Sequence, residues 1–183
     1  MKKPKKEEKP LSGAQDAYEW LQILIVALVT IILVFTFVGR ITPVVGESML
    51  PTLHEGDVML IRDIGYTDPQ PGDIVVLTKE FDAARGPIVK RIIAVEGQTV
   101  DIDYQTGTVY VDGEALDEPY LNEPMEEPWY EDLTSVTVPE GSVFVMGDNR
   151  ASSADSRYHQ DDGDHGLVPI DNVVGVGLMR YWP

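Results

Sequence analysis

Trp20 to Gly39 form a run of twenty residues without a formal charge, dominated by Leu, Ile, Val and Phe and bracketed by Glu19 and Arg40. At about 1.5 Å per helical residue, about 20 apolar residues match a bilayer hydrocarbon core of roughly 30 Å. A core helix of a soluble protein would carry a polar face. A cleavable signal peptide has an apolar region of only about 7 to 15 residues that ends at small residues; this run ends in Gly39-Arg40-Ile41-Thr42-Pro43. The sequence therefore predicts a transmembrane helix over 20–39, a tail over 1–19 and a folded part over 40–183. Lys2, Lys3, Lys5, Lys6 and Lys9 precede the span and only Arg40 follows it closely. That charge bias predicts a single-pass protein of the cell membrane, with a cytoplasmic N-terminus and an extracytoplasmic folded part.

The 183 residues have 43% hydrophobic content, enough to bury one sizeable core after the anchor is set aside. There is no cysteine. Disulfides, thiolate nucleophiles and cysteine zinc sites are thereby excluded. Residues 41–183 hold 27 acidic and 8 basic side chains, so nucleic acid is not an expected partner.

Beyond the anchor, residues 57–62, 73–79, 87–95, 99–104, 108–111, 142–146 and 172–180 read as short strands rich in Val, Ile and Tyr, punctuated by Gly, Pro and Asp. No long amphipathic helix follows the span, so the fold class is mostly β. Val100, Ile102 and Tyr104 alternate, then Gln105-Thr106-Gly107 leads to Val109 and Val111, which predicts a hairpin. Residues 112–140 carry Pro119, Pro124, Pro128 and Pro139 among many acidic side chains and are expected to form a loop-rich flap. The Lys/Glu-rich stretch Lys2 to Lys9 reads as a disordered tail that helps to set topology.

Two residues draw attention as chemistry. Ser48 lies in Gly46-Glu47-Ser48-Met49-Leu50-Pro51-Thr52, and Lys90 ends the apolar approach Ile88-Val89 and is followed by Arg91, Ile92 and Ile93. A serine hydroxyl needs a base to become a nucleophile, and a lysine serves only when neutral. Burial disfavours the ammonium, and the apolar neighbours of Lys90 fit that need. A third segment, Gly147-Asp148-Asn149-Arg150 with Ser153, Asp155, Ser156 and Arg157, is a dense polar block set directly after the apolar run Val143 to Met146. Taken singly, Ser48 also suits a turn, and Lys90 an exposed strand position. The usual imidazole base has candidates in His54, His159 and His165. His54 reads as a turn or surface residue, and the run 159–165 lacks the calcium-loop pattern and zinc spacing, so no metal is expected.

Ser48-Met49-x-Pro51-Thr52, Gly72-Asp73-Ile74-Val75, Lys90-Arg91-Ile92-Ile93 and the block from Gly147 to Arg157, in this order behind an anchor, resemble bacterial type I signal peptidase of the serine-lysine kind, over roughly Arg40 to the end of the chain. The resemblance implies a β catalytic core of coiled sheets with a small inserted β and loop region over 99–140. It implies that Ser48 attacks the scissile carbonyl, that Lys90 is the general base and that Ser153 orients the lysine. The backbone N–H of Ser48 would bind the oxyanion. In some members a serine two residues before the nucleophile adds a donor; here that residue is Gly46. Val44, Met49, Leu53, Ile88 and Val89 are the implied substrate walls, shallow enough to select small side chains. Arg91, Asp148, Arg150, Asp155 and Arg157 are expected to pair in structural support. The implied enzyme needs no cofactor, works as a monomer beside membrane lipid, and cuts secretory preproteins that carry small residues before the site. The connection from Arg157 to Gly166-Leu167-Val168-Pro169 is longer than is usual in the family. Ser48 lies eight residues beyond Arg40, so an extended chain keeps it within roughly 30 Å of the membrane, where presequences end. A self-cleaving repressor-type peptidase and a catalytically silent tethered binding module are the competing readings.

Overall fold

In the computed structural model the described residues are 13–37, 40–62, 66–79, 81, 86–121, 123–125, 133–157 and 166–181, with residues 35–37 and 179–181 described by backbone alone. The chain divides into two compact units, Met1–Val38 and Gly39–Pro183. The first contains helix α1, Gly13–Phe37. It begins ahead of the charge-free run, because Ala14, Gln15 and Ala17 are good helix formers and Asp16 in the first turn suits the positive end of the helix dipole. Its segment Gly13–Val34 is long and apolar enough to cross a membrane. Residues 38 and 39, the end of the expected span, lie outside the described residues.

The second unit is built from strands: β1 (Arg40–Pro43), β2 (Val58–Arg62), β3 (Ile74–Leu77), β4 (Ile88–Val95), β5 (Thr99–Asp103), β6 (Thr108–Val111), β7 (Glu114–Ala115), β8 (Ser135–Thr137), β9 (Ser142–Met146), β10 (Val168–Pro169) and β11 (Val173–Tyr181). Seven form one sheet in the order β1-β2-β11-β3-β4-β9-β10, and four form a second in the order β7-β6-β5-β8. Every pairing is antiparallel. The mostly β expectation holds, and the predicted hairpin is β5–β6, with Val100 opposite Val111 and Ile102 opposite Val109. The stretch expected to form a loop-rich flap contributes the short strands β7 and β8. Residues 122 and 126–132 of that stretch lie outside the described residues.

Burial explains why β9 reads as an unbroken apolar run. Val143 and Val145 join one core with Val75, Leu77, Phe81, Ile92 and Val176. Phe144 and Met146 join another with Val100, Ile102, Val109 and Val111 of the small sheet. A strand covered on both faces has no polar alternation to display. Truncating Phe144, which has no exposed surface, to Ala is expected to cost about 3–5 kcal/mol. A register shift in β4 between Ile92 and Ala94 sends Ile92 to the first core and both Ile93 and Ala94 to the second. The third core holds Val44, Met49, Leu53, Met59, Ile61 and Val76, and it supports the turn that carries Ser48.

Candidate active site

After β1 the chain folds back on itself. Val44 N–H donates to Asp57 O at 2.8 Å and Gly56 N–H to Val44 O at 3.0 Å, while Leu50 N–H to Glu47 O (3.1 Å) and Leu53 N–H to Met49 O (2.9 Å) wind the segment into successive turns. Met49 and Leu53 are the buried pegs of this segment, which leaves Ser48 on its other side. Gly46 has φ +87°, a left-handed conformation that residues with a Cβ rarely adopt. The backbone itself therefore favours glycine, not serine, two residues before Ser48.

Lys90 Nζ donates to Ser48 Oγ at 2.7 Å and to Val89 O at 3.1 Å. Lys90 is 2% exposed. Burial pushes its ammonium pKa down to about 8; the Asp155 charge opposes this, Arg157 adds to it and Asp148 opposes it again. An amine poised there is partly neutral at mildly alkaline pH.

The loop after β9 is fastened to the Ser48 turn through the main chain. Asn149 N–H donates to Ser48 O at 3.0 Å, and Asn149 Nδ2 donates to Glu47 O at 3.1 Å. Gly147 fills the remaining space: a Cβ there would stand 2.2 Å from Ser153 Oγ and 2.4 Å from Ser48 O. Its N–H donates to Asp155 Oδ2 at 2.9 Å. Asp155 is fully buried and takes two parallel bonds from Arg157, Nε at 2.8 Å and Nη2 at 2.9 Å. Burial alone would raise the Asp155 carboxyl, but the Arg157 charge and hydrogen bonds, with the Gly147 N–H, hold it below the usual carboxylate range. The buried Ser153 hydroxyl, within reach of the Asp155 carboxylate, adds to that effect. Lys90 Nζ thus has Val89 O as its second acceptor.

On the neighbouring β4 position, Arg91 grips Asp148 with Nε at 2.8 Å and Nη2 at 2.6 Å and donates Nη1 to Gly72 O at 2.9 Å. Burial favours the neutral guanidine, but Asp148 outweighs it and holds Arg91 above its ordinary value. Thr52 Oγ1 also donates to Asp148. Arg150 donates from Nε to Gly147 O at 3.2 Å and pairs with Glu118 through both Nη atoms. Arg91 thus pairs with Asp148 and Arg157 with Asp155, while Arg150 pairs with Glu118, a residue outside that set. Glu118 and Tyr120, whose ring lies 3.9 Å from the Arg91 guanidinium, escaped the sequence reading. The one signal for them was an aromatic and a carboxylate set around Pro119, within a stretch full of carboxylates.

Of the expected walls, Val44, Met49, Leu53 and Val89 share one apolar cluster. Ile88 packs against the core of Val75 and Leu77 instead, because alternation along β4 sends adjacent side chains to opposite faces. The His54 side chain is 53% exposed, and the backbone N–H of His54 donates to Asp57 Oδ2 at 2.8 Å, as suits a turn. His159 and His165 lie outside the described residues. Gly72-Asp73 forms the turn into β3, joined to β4 by Gly72 N–H to Ile92 O and Ile92 N–H to Asp73 O, both 2.8 Å.

The family described as signal peptidase, peptidase S26, matches residues 17–182. A probable signal peptidase I-1 of Synechocystis is 39% identical over 174 residues, covering 90% of this chain and 82% of that protein. A signal peptidase I of Mycobacterium tuberculosis is 36% identical over 213 residues, covering 90% and 72%. A signal peptidase I of Bacillus licheniformis is 34% identical over 185 residues, covering 97% and 95%.

Proposed function

Because the chain belongs to the signal peptidase family, peptidase S26, we propose that it removes signal peptides from exported preproteins as a membrane-anchored serine endopeptidase. The observation that carries the mechanism is the 2.7 Å contact between Lys90 Nζ and Ser48 Oγ. When the amine is neutral, this contact reverses and the Ser48 hydroxyl donates to the Nζ lone pair. Ser48 Oγ attacks the scissile carbonyl carbon as its proton passes to Lys90, and the Ser48 N–H receives the developing oxyanion. Collapse expels the amine of the mature protein, which takes the proton back from the Lys90 ammonium. The ester left on Ser48 is then hydrolysed by water activated through the same lysine. Ser153, whose buried hydroxyl lies beside Gly147 and the Asp155 carboxylate, receives and orients the ammonium while it carries the proton.

Substrate selection follows from the apolar cluster under Ser48. Val44, Met49 and Leu53 are buried and Val89 packs beside them, which leaves shallow walls suited to small side chains before the cut. The helix anchors the enzyme with its N-terminus in the cytoplasm, following the lysine-rich tail, and the catalytic part acts outside as a monomer. The test is to incubate the detergent-solubilised protein with a secretory preprotein and locate the cut by mass spectrometry, beside Ser48→Ala and Lys90→Ala. Cleavage after an Ala-x-Ala site that is lost in both variants supports the proposal. Cleavage that survives in either variant refutes the dyad.

A further inference from the structure

Glu118 and Tyr120 lie beyond β7, far in sequence from both dyad residues, yet they meet the two arginines that brace the site. The Tyr120 ring covers the Arg91 guanidinium at 3.9 Å. The Glu118 carboxylate takes both Nη atoms of Arg150, and Tyr120 OH donates to Glu118 Oε1 at 2.8 Å, so the two side chains act together. The ion pair is almost dry, with the Arg150 and Glu118 side chains 1% and 7% exposed. Their backbone is fixed as well: Leu116 N–H donates to Val109 O at 2.9 Å before them, and Leu121 N–H to Glu118 O at 3.1 Å closes a turn around Pro119.

From this segment two routes reach the dyad. Arg150 Nε holds Gly147 O, and Gly147 is wedged between Ser48 O and Ser153. Arg91 follows Lys90 directly and holds Asp148, which in turn anchors Thr52, four residues after Ser48. We propose that Glu118-Pro119-Tyr120 is a positioning strap that locks Arg91 and Arg150, and through them fixes Ser48 relative to Lys90. The proposal rests on the catalytic roles given above for Ser48 and Lys90. A buried cation keeps one geometry only while its counter-charge is in place, and the ring adds a cation–π contact that also excludes water. The strap touches neither Ser48 nor Lys90, so it acts on the rate of the bound complex and not on substrate binding.

The experiment compares full-length, detergent-solubilised wild type, Glu118→Gln, Tyr120→Leu, Tyr120→Phe and Ser48→Ala on a secretory preprotein with an Ala-x-Ala site, measuring kcat, KM and the pH dependence of kcat. Glu118→Gln and Tyr120→Leu are expected to lose about tenfold or more in kcat with KM within about twofold, as misplacement of a reacting pair does. Their acid limb should move to higher pH as water reaches Lys90, and Tyr120→Phe, which keeps the ring, should retain most of the rate. Wild-type kcat and acid limb in Tyr120→Leu, even with a lowered melting temperature, would overturn the strap, since a purely structural contact would behave so. Should Glu118→Gln not fold, the Leu and Phe variants of Tyr120 carry the comparison alone. Activity surviving in Ser48→Ala would strike the dyad reading itself, an outcome separate from failure of the strap.

Discussion

Gly147 sits so close to Ser153 that a single added methyl group would stand 2.2 Å from the serine Oγ and 2.4 Å from Ser48 O. The crowded atoms include a main-chain oxygen of the nucleophile turn, which cannot swing aside as a flexible side chain does. Gly147→Ala is therefore expected to displace Ser48, lowering kcat by about 100-fold. Overpacking at this point should also cost about 1–3 kcal/mol of stability. Cleavage rates alongside denaturant unfolding of the detergent-solubilised variant check both parts; a wild-type rate would mean that the loop is free to move away from Ser48.

Lys90 is expected to oppose the stability of the fold that it serves. Its folded pKa, about 8, lies below the ordinary lysine value of 10.5, so below pH 8 the folded state carries a buried ammonium at a cost of about 3 kcal/mol. Between those values the unfolded chain binds the proton and the folded one does not, so this cost is relieved as pH rises from 8 toward 10.5. Lys90→Met should be inactive yet melt higher than wild type at pH 7, and the gap should close near pH 10. Lys90→Arg should be inactive for a different reason, since a guanidinium stays charged. Thermal unfolding followed by circular dichroism at the two pH values gives the answer; a Met variant less stable at pH 7 would contradict it.

Asp155 has the opposite sign. Its folded carboxyl is held below the usual range, so its contribution is present above the unfolded carboxylate pKa and is lost as pH falls through the folded value. Asp155→Asn leaves Arg157 buried without its partner and should cost about 3–5 kcal/mol. Because the Asp155 charge favours the Lys90 ammonium, the same variant should move the acid limb of activity to lower pH. A limb that stayed in place, read from the pH dependence of kcat/KM at a temperature where the variant is folded, would show that Asp155 does not act on Lys90.

Much of the β framework is legible from Val, Ile and Tyr runs punctuated by Gly, Pro and Asp, because strands of the two central layers must be apolar on at least one face. The strands β1, β7, β8 and β10 are not legible in this way. They are two to four residues long, too short to display a period, and Pro43 and Pro169 within them read as breaks. The meeting of Ser48 with Lys90, 42 positions apart, is not implied by either local pattern; the order of the short motifs suggested it. Glu118 and Tyr120 were hidden by number: with 27 carboxylates beyond residue 40 and only 8 cations, no spacing rule says which acid a buried arginine takes. Ile88 went to another core because a one-residue step along a strand reverses the face.

The most direct test of the central claim, that a neutral Lys90 activates Ser48, is the pH dependence of kcat/KM for preprotein cleavage by the wild type. The account predicts a rate that rises with pH and levels off above an acid limb near 8, the Lys90 value. A limb near the usual histidine value of about 6.5, or a flat profile across that range, would contradict it and return the search to another base.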